Sequence, residues 1–339
     1  WSRGGRYFLF SSRGQIWALE RPGLGVRRRP LQLTSSPMRL SSPLPSLDGN
    51  KLFVVGSTYR GELMRYDLPS GRFTPFLDGI SAEYVAFSDD GKHVAWVSFP
   101  EGTLWRSNLD GRERLQLTFQ PMQVVLPRWS PDGSRLVFFN VPAGAGESAR
   151  IYEVSADGGS PVELIAADKK NQQDPNWSPD GNRIVFGRGA AAATVAPGEP
   201  QVQIFDRTTH TIRPVPGSQG LFSPRWSPDG RTLAALSADS RRLVMFDFAT
   251  QKWSTVTHGT FGWLSWSRDG RSMYMLDFSG GGGVVRVRLA DGKTDQVADL
   301  RDFPIAGGYG GSLTLAPDDS PLLLRNRGTQ DVYALDWKD

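Results

Sequence analysis

Three histidines, His93, His210 and His258, are all the imidazole this chain offers for acid–base work or metal binding. They are scattered, and no two have the short spacing of a metal-ligand pair. A Gly-x-Ser-x-Gly nucleophile elbow is absent, so no serine is marked as an activated partner for any of them. Cysteine is also absent, which removes thiolate ligands, disulfides and a cysteine nucleophile. Asp132, Asp180, Asp229 and Asp269 stand in short Ser-x-Asp-Gly phrases without the alternating carboxylates of a calcium loop. The glycine-rich GGYGG at Gly307–Gly311 lacks the lysine and the strand–helix setting of a phosphate loop. No catalytic residue, metal ligand or cofactor site is expected, and the chain reads as a non-enzyme.

What remains is recognition chemistry. Glu83, Tyr84, Gln173, Asp174, Phe222 and Trp263 open successive apolar runs, and Arg128 and Arg225 directly precede a tryptophan. Aromatic rings supply contact area and polar groups supply orientation, a mixture suited to a protein, a peptide or a small ligand. These eight residues are the expected binding set, provided that the elements carrying them converge.

Those elements repeat. PRWSPDG occurs at Pro127–Gly133 and again at Pro224–Gly230, with PNWSPDG between them at Pro175–Gly181. Variants of the phrase (WSRGG, PSLDG, FSDDG, WSRDG and APDDS) bring the copies to eight, spaced 40 to 50 residues apart. Such a period signals an array of equivalent units. Each phrase reads as a turn: proline presets φ, Asp bonds the local backbone, and Gly takes the left-handed position. The repeated positions are Trp129, Asp132 and Gly133; Trp177, Asp180 and Gly181; Trp226, Asp229 and Gly230; and Trp266, Asp269 and Gly270.

After each turn comes a β-rich run such as RLVFFN or RIVFG, then a loop, a third strand such as RIYEVS or VQIFD, and a fourth. The runs are apolar on both faces, as sheets packed between neighbours require. The expected fold is an all-β propeller of four-stranded antiparallel blades. Eight blades fit the eight repeats. Seven is the alternative, with Pro30–Thr34 completing the last blade. The expected domain is a single propeller over 1–339, cut from a longer chain because it opens on Trp1. The insertions at Val141–Ala149, Arg188–Pro200 and Ser279–Gly283 fall on the end where the inner strands begin, marking that face as partner-facing.

Composition bounds the partners. The chain has 39 basic and 35 acidic residues, a net charge of +4 and 11 % aromatics, which describes a packed core under a mixed surface. Direct nucleic-acid binding is not expected from such a balance. Arg27–Arg29 reads as a solvated turn that an acidic partner would find usable. No run approaches the ~18 apolar residues of a membrane span, and no signal peptide opens the chain.

The WSPDG turn, the apolar strand after it and the following IY-type strand resemble the TolB-type, WD-like β-propeller repeat over the whole chain. The segments Leu315–Trp337 and Ser42–Gly56 further resemble propeller regions of acidobacterial winged-helix regulators and kinase-linked sensor proteins. The resemblance implies a sensor or interaction module, monomeric within a multidomain chain. It would lie in the periplasm if it is the outer part of a membrane-anchored regulator, and otherwise in the cytoplasm. The alternative is a substrate-gating propeller of a hydrolase such as a prolyl-oligopeptidase-like peptidase.

Overall fold

The computed structural model describes residues 1–21, 29–142, 147–189, 200–279 and 282–337, without the side chain of Tyr309. The repeated turn has the chemistry its residues dictate. In the fourth copy Ser130 Oγ donates to Asp132 Oδ1 and accepts from Arg135 N, while Asp132 Oδ1 also accepts from Ser134 N at 3.0 Å. Gly133 N closes the turn on Ser130 O at 2.9 Å, with Gly133 at φ +69°. The Ser227–Asp229–Thr232 and Ser267–Asp269–Ser272 sets repeat the pattern. A Cβ at Gly133 would meet nothing within 4 Å, so only the left-handed backbone demands glycine there. Gly133→Ala is therefore expected to cost about 1–2 kcal/mol, and Gly133→Asn less, as urea denaturation will read.

Every strand pairing is antiparallel, and the described residues contain no helix beyond two single 3-10 turns. The described residues form eight sheets, matching the eight repeats in number; six have four strands and two have three. The chain divides into two compact units, Gly61–Asn326 and a second made of Trp1–Arg60 with Arg327–Asp339. The larger unit holds all six four-stranded sheets. Their inner strands are Ala82–Phe87, Val124–Trp129, Gln173–Trp177, Leu221–Trp226, Phe261–Trp266 and Thr314–Leu315. Each packs on the next and the last returns to the first, so the sheets close a ring. The smaller unit holds the two three-stranded sheets, around a core of Leu9, Ile16, Ala18, Leu40, Leu52 and Val54. Leu31–Gln32 pairs there with Gln15–Glu20 and completes no other sheet.

One expectation needs correction. Copies two and eight do not fold as separate meanders. Lys51–Thr58 pairs with Thr329–Asp336, whereas Gly61–Asp67 pairs with Pro321–Asn326. The two copies have exchanged their later strands. Only Tyr59 and Arg60 separate the second and third strands of copy two, and Arg327 and Gly328 those of copy eight. A two-residue hairpin of the favoured type needs φ > 0 in its loop, and none of these four residues adopts it. The chain runs on into another sheet instead. Gly61 suits that join, because a Cβ there would lie 2.3 Å from Leu324 Cδ1.

The ring is dry between its sheets. Leu136, Phe138, Ile151, Ile184 and Phe186 are fully buried, and Trp129, Trp177 and Trp226 are buried at the inner edges. Trp129 Nε1 donates to Ala86 O of the preceding sheet at 3.1 Å, and Trp177 Nε1 to Arg128 O at 3.2 Å. The tryptophans thus fasten neighbours together as well as filling space.

Candidate functional site

Each complete inner strand carries a bulge three residues before its terminal aromatic. Tyr84, Leu126, Asp174, Ser223 and Trp263 occupy it, with φ between 51° and 60°, at the point where the strand's register slips. A bulge of this kind re-aims one side chain. Here the side chains converge. The Tyr84 and Trp263 rings lie 5.7 Å apart although their strands are not neighbours in the ring. Ser223 Oγ donates to Asp174 Oδ2 at 2.7 Å, and Arg225 donates to Asp174 Oδ1 at 2.7 Å. Arg225 also bonds Leu264 O and Pro224 O, so its buried guanidinium is well matched.

At one end of these strands the glycine-rich segment packs against the first of them. Gly308 N donates to Glu83 Oε2 at 2.7 Å, and a Cβ on Gly308 would lie 2.4 Å from Tyr84 Oη. GGYGG is thus a close-packed cover for Glu83 and Tyr84, and glycine is needed for the approach. Burial pushes the Glu83 carboxyl up to about 7, against the opposing bond from Gly308. A carboxyl that holds its proton more tightly folded than unfolded adds stability that is complete below pH 4.5, its ordinary value. That stability is lost as pH rises through about 7. The loss amounts to about 3 kcal/mol at most. Urea titrations from pH 4 to 8 should show wild type falling relative to Glu83→Gln by this order.

At the other end a cavity of about 400 Å³ opens between the Ser-Pro-Asp-Gly turns. All six inner strands contribute. Ala86, Arg128, Asn176, Arg225, Ser265 and Thr314 line its depth, Trp129, Trp177, Trp226 and Trp266 its walls, and Asp89, Pro131, Pro179 and Pro228 its turn-side rim. The prolines are held by the turns themselves, since Pro131 abuts Gly181, Pro179 abuts Gly230 and Pro228 abuts Gly270. Asn176 Oδ1 accepts from Trp226 N at 2.7 Å. Burial, then Arg225, pulls the Arg128 pKa down to about 9 while Asp174 raises it, which leaves the guanidinium charged at neutral pH. Burial and then Asp90 push the Asp89 carboxyl up.

Of the eight residues expected from the sequence, Arg128 and Arg225 line this cavity. Tyr84, Asp174 and Trp263 belong to the bulge ring, and Glu83 lies beneath the glycine segment. Gln173 is first and Phe222 second in their strands, each directly before a bulge residue, and neither lines the cavity. Ser223, Leu126 and Asn176 join the bulge ring or the cavity from outside the expected eight. Their signal was present as the fixed offset before each repeat tryptophan. The insertions expected to face a partner fall largely outside the described residues, at 143–146, 190–199 and 280–281, as do Arg27 and Arg28. The three histidines lie on three separate sheets. His93 stacks 5.9 Å from Trp129. Among the described residues no group of three His, Asp or Glu side chains is placed to hold a metal. No helix among the described residues is long and apolar enough to cross a membrane.

A closed ring of four-stranded antiparallel sheets around an axial cavity defines a β-propeller. The sequence matches the TolB beta propeller domain family, PD40, over residues 84–296, and the chain belongs to that family. It is 28 % identical over 206 residues to the uncharacterized peptidase YuxL of Bacillus subtilis, covering 57 % of this chain and 29 % of that protein. The chain therefore spans under a third of the length of that curated relative. A structure assigned as TolB from Agrobacterium tumefaciens superposes with a TM-score of 0.61 at 18 % identity, over 79 % of this chain and 99 % of that one. Oligogalacturonate lyase from Vibrio parahaemolyticus does so with a TM-score of 0.53 at 12 % identity, over 94 % and 96 %. These two likenesses speak for the fold.

Proposed function

We propose that this propeller is a non-enzymatic recognition module of a bacterial regulatory protein, binding a peptide segment or small ligand in its axial cavity. The observation that carries the reading is the cavity's composition: two arginines, an asparagine and tryptophans on the inner strands, with prolines of the following turns at its rim. Sites of that kind combine apolar area with a few fixed polar groups. The acid–base groups near the axis support binding over turnover, because Asp174 is engaged by Arg225 and Ser223, and Glu83 lies under Gly308.

The test is peptide selection from an unbiased library against the full chain, followed by binding to Ser265→Phe, which fills the cavity. Selected peptides should lose at least tenfold in affinity for that variant, with circular dichroism reporting an intact fold. Unchanged affinity, for it and for Thr314→Phe alike, moves the site elsewhere.

A second reading is favoured by the similarity to the YuxL peptidase. There the propeller would screen substrates for a hydrolase domain in the same polypeptide. Reading the gene on both sides of this segment tests it, since the idea requires an adjoining hydrolase domain.

A further inference from the structure

The axial cavity contains one arginine that has no direct ion-pair partner among the described residues, although Asp174 lies near enough to favour its charge. Arg225 has Asp174 at 2.7 Å and two carbonyl acceptors. Arg128 lines the same cavity half-buried, and the one hydrogen bond of its guanidinium is from Nη1 to the carbonyl of neighbouring Pro127 at 3.1 Å. Among the described residues no carboxylate comes within ion-pair reach of it. A guanidinium carries five N–H donors in a planar fork shaped for a carboxylate. Four of those donors have no protein acceptor among the described residues and stay open to water or to a ligand.

Resting on the cavity reading above, we propose that Arg128 is a binding residue for a singly charged peptide carboxylate, either an acidic side chain or a chain terminus. The rest of the cavity selects within that class. Asp89 stands at the rim and repels a second negative charge, which argues against phosphate dianions and polyanionic chains. The flat faces of Pro131, Pro179 and Pro228 and the neighbouring tryptophans offer apolar contact to the residues that precede the carboxylate. A space of about 400 Å³ admits a few side chains and excludes a folded domain.

Four probes test this on the full chain labelled with ¹⁵N-arginine: Ac-Pro-Trp-Glu-amide, Ac-Pro-Trp-Gln-amide, Ac-Pro-Trp-Gln with a free C-terminus, and inorganic phosphate. At least one carboxylate peptide should shift the Arg128 Nε–Hε resonance and bind at least tenfold tighter than the Gln amide. Whichever of the two binds tells side chain from terminus. Arg128→Gln should erase the preference, and Arg128→Lys, which keeps the charge without the fork, should retain only part of it. Equal binding of the Glu and Gln amides with no gain for the free terminus, absence of binding by both carboxylate peptides at 10 mM, or tighter binding of phosphate overturns the proposal. So does a preference that survives in Arg128→Gln. Should library peptides lose affinity for Ser265→Phe yet bind Arg128→Gln as they bind wild type, the cavity reading stands and the carboxylate inference alone falls.

Discussion

Replacing Asp174 by alanine is expected to destabilise the protein by about 3–5 kcal/mol, the range for breaking a buried ion pair from one side. Asp174 and Arg225 are both largely shielded, and the arginine cannot shed its charge. The alanine variant strands a guanidinium in the bulge ring and removes the acceptor for Ser223 Oγ. Pairing Asp174→Ala with Arg225→Met should recover much of the loss, because the stranded charge goes with it. Urea denaturation of the four members of this cycle reads the coupling directly. A single-variant cost below 1 kcal/mol would mean that water reaches the pair.

Trp177→Ala should cost a similar amount, about 3–5 kcal/mol. Trp177 is buried at the inner edge of its sheet, bonds Arg128 O of the preceding sheet, and carries the Arg207 guanidinium 4.7 Å above its ring. Alanine leaves a void where two sheets meet, and tightly packed strands have little room to fill it. Trp177→Phe keeps most of the area and loses the indole N–H, so a cost of about 1 kcal/mol, that of one hydrogen bond, is expected. If both variants melt with wild type, the sheets are not fastened through this residue.

The repeated corner was legible because its chemistry is local. Serine, aspartate and glycine within five residues of one another specify a turn without help from the rest of the chain, and the Ser130, Ser227 and Ser267 corners follow that script. The apolar runs after each corner gave sheets for the same reason. Two features were hidden. The bulge at Tyr84, Asp174 and Trp263 uses ordinary residues at φ > 0, and nothing in their types announces it. The strand exchange between copies two and eight depends on which of two chemically similar strands lies closer in space. The short links at Tyr59–Arg60 and Arg327–Gly328 were its only trace. The site was half legible. Arg128 and Arg225 stood out by their offset from the tryptophan, while the cavity they line requires all six strands to be in place.

The sixth sheet of the ring is stitched from the two extremities of its unit, with Arg325 meeting Glu62 at a sequence separation of 263 and a distance of 2.7 Å. During biosynthesis Gly61–Pro75 emerges early and must wait, its partner-side edge bare, until Pro321–Asn326 leaves the ribosome. Closing so long a loop costs chain entropy, and the ring cannot be complete before that last strand is available. A chaperone that shields a lone two-stranded ribbon would act there, and a nascent chain arrested before Thr314 would present five finished sheets and one waiting half.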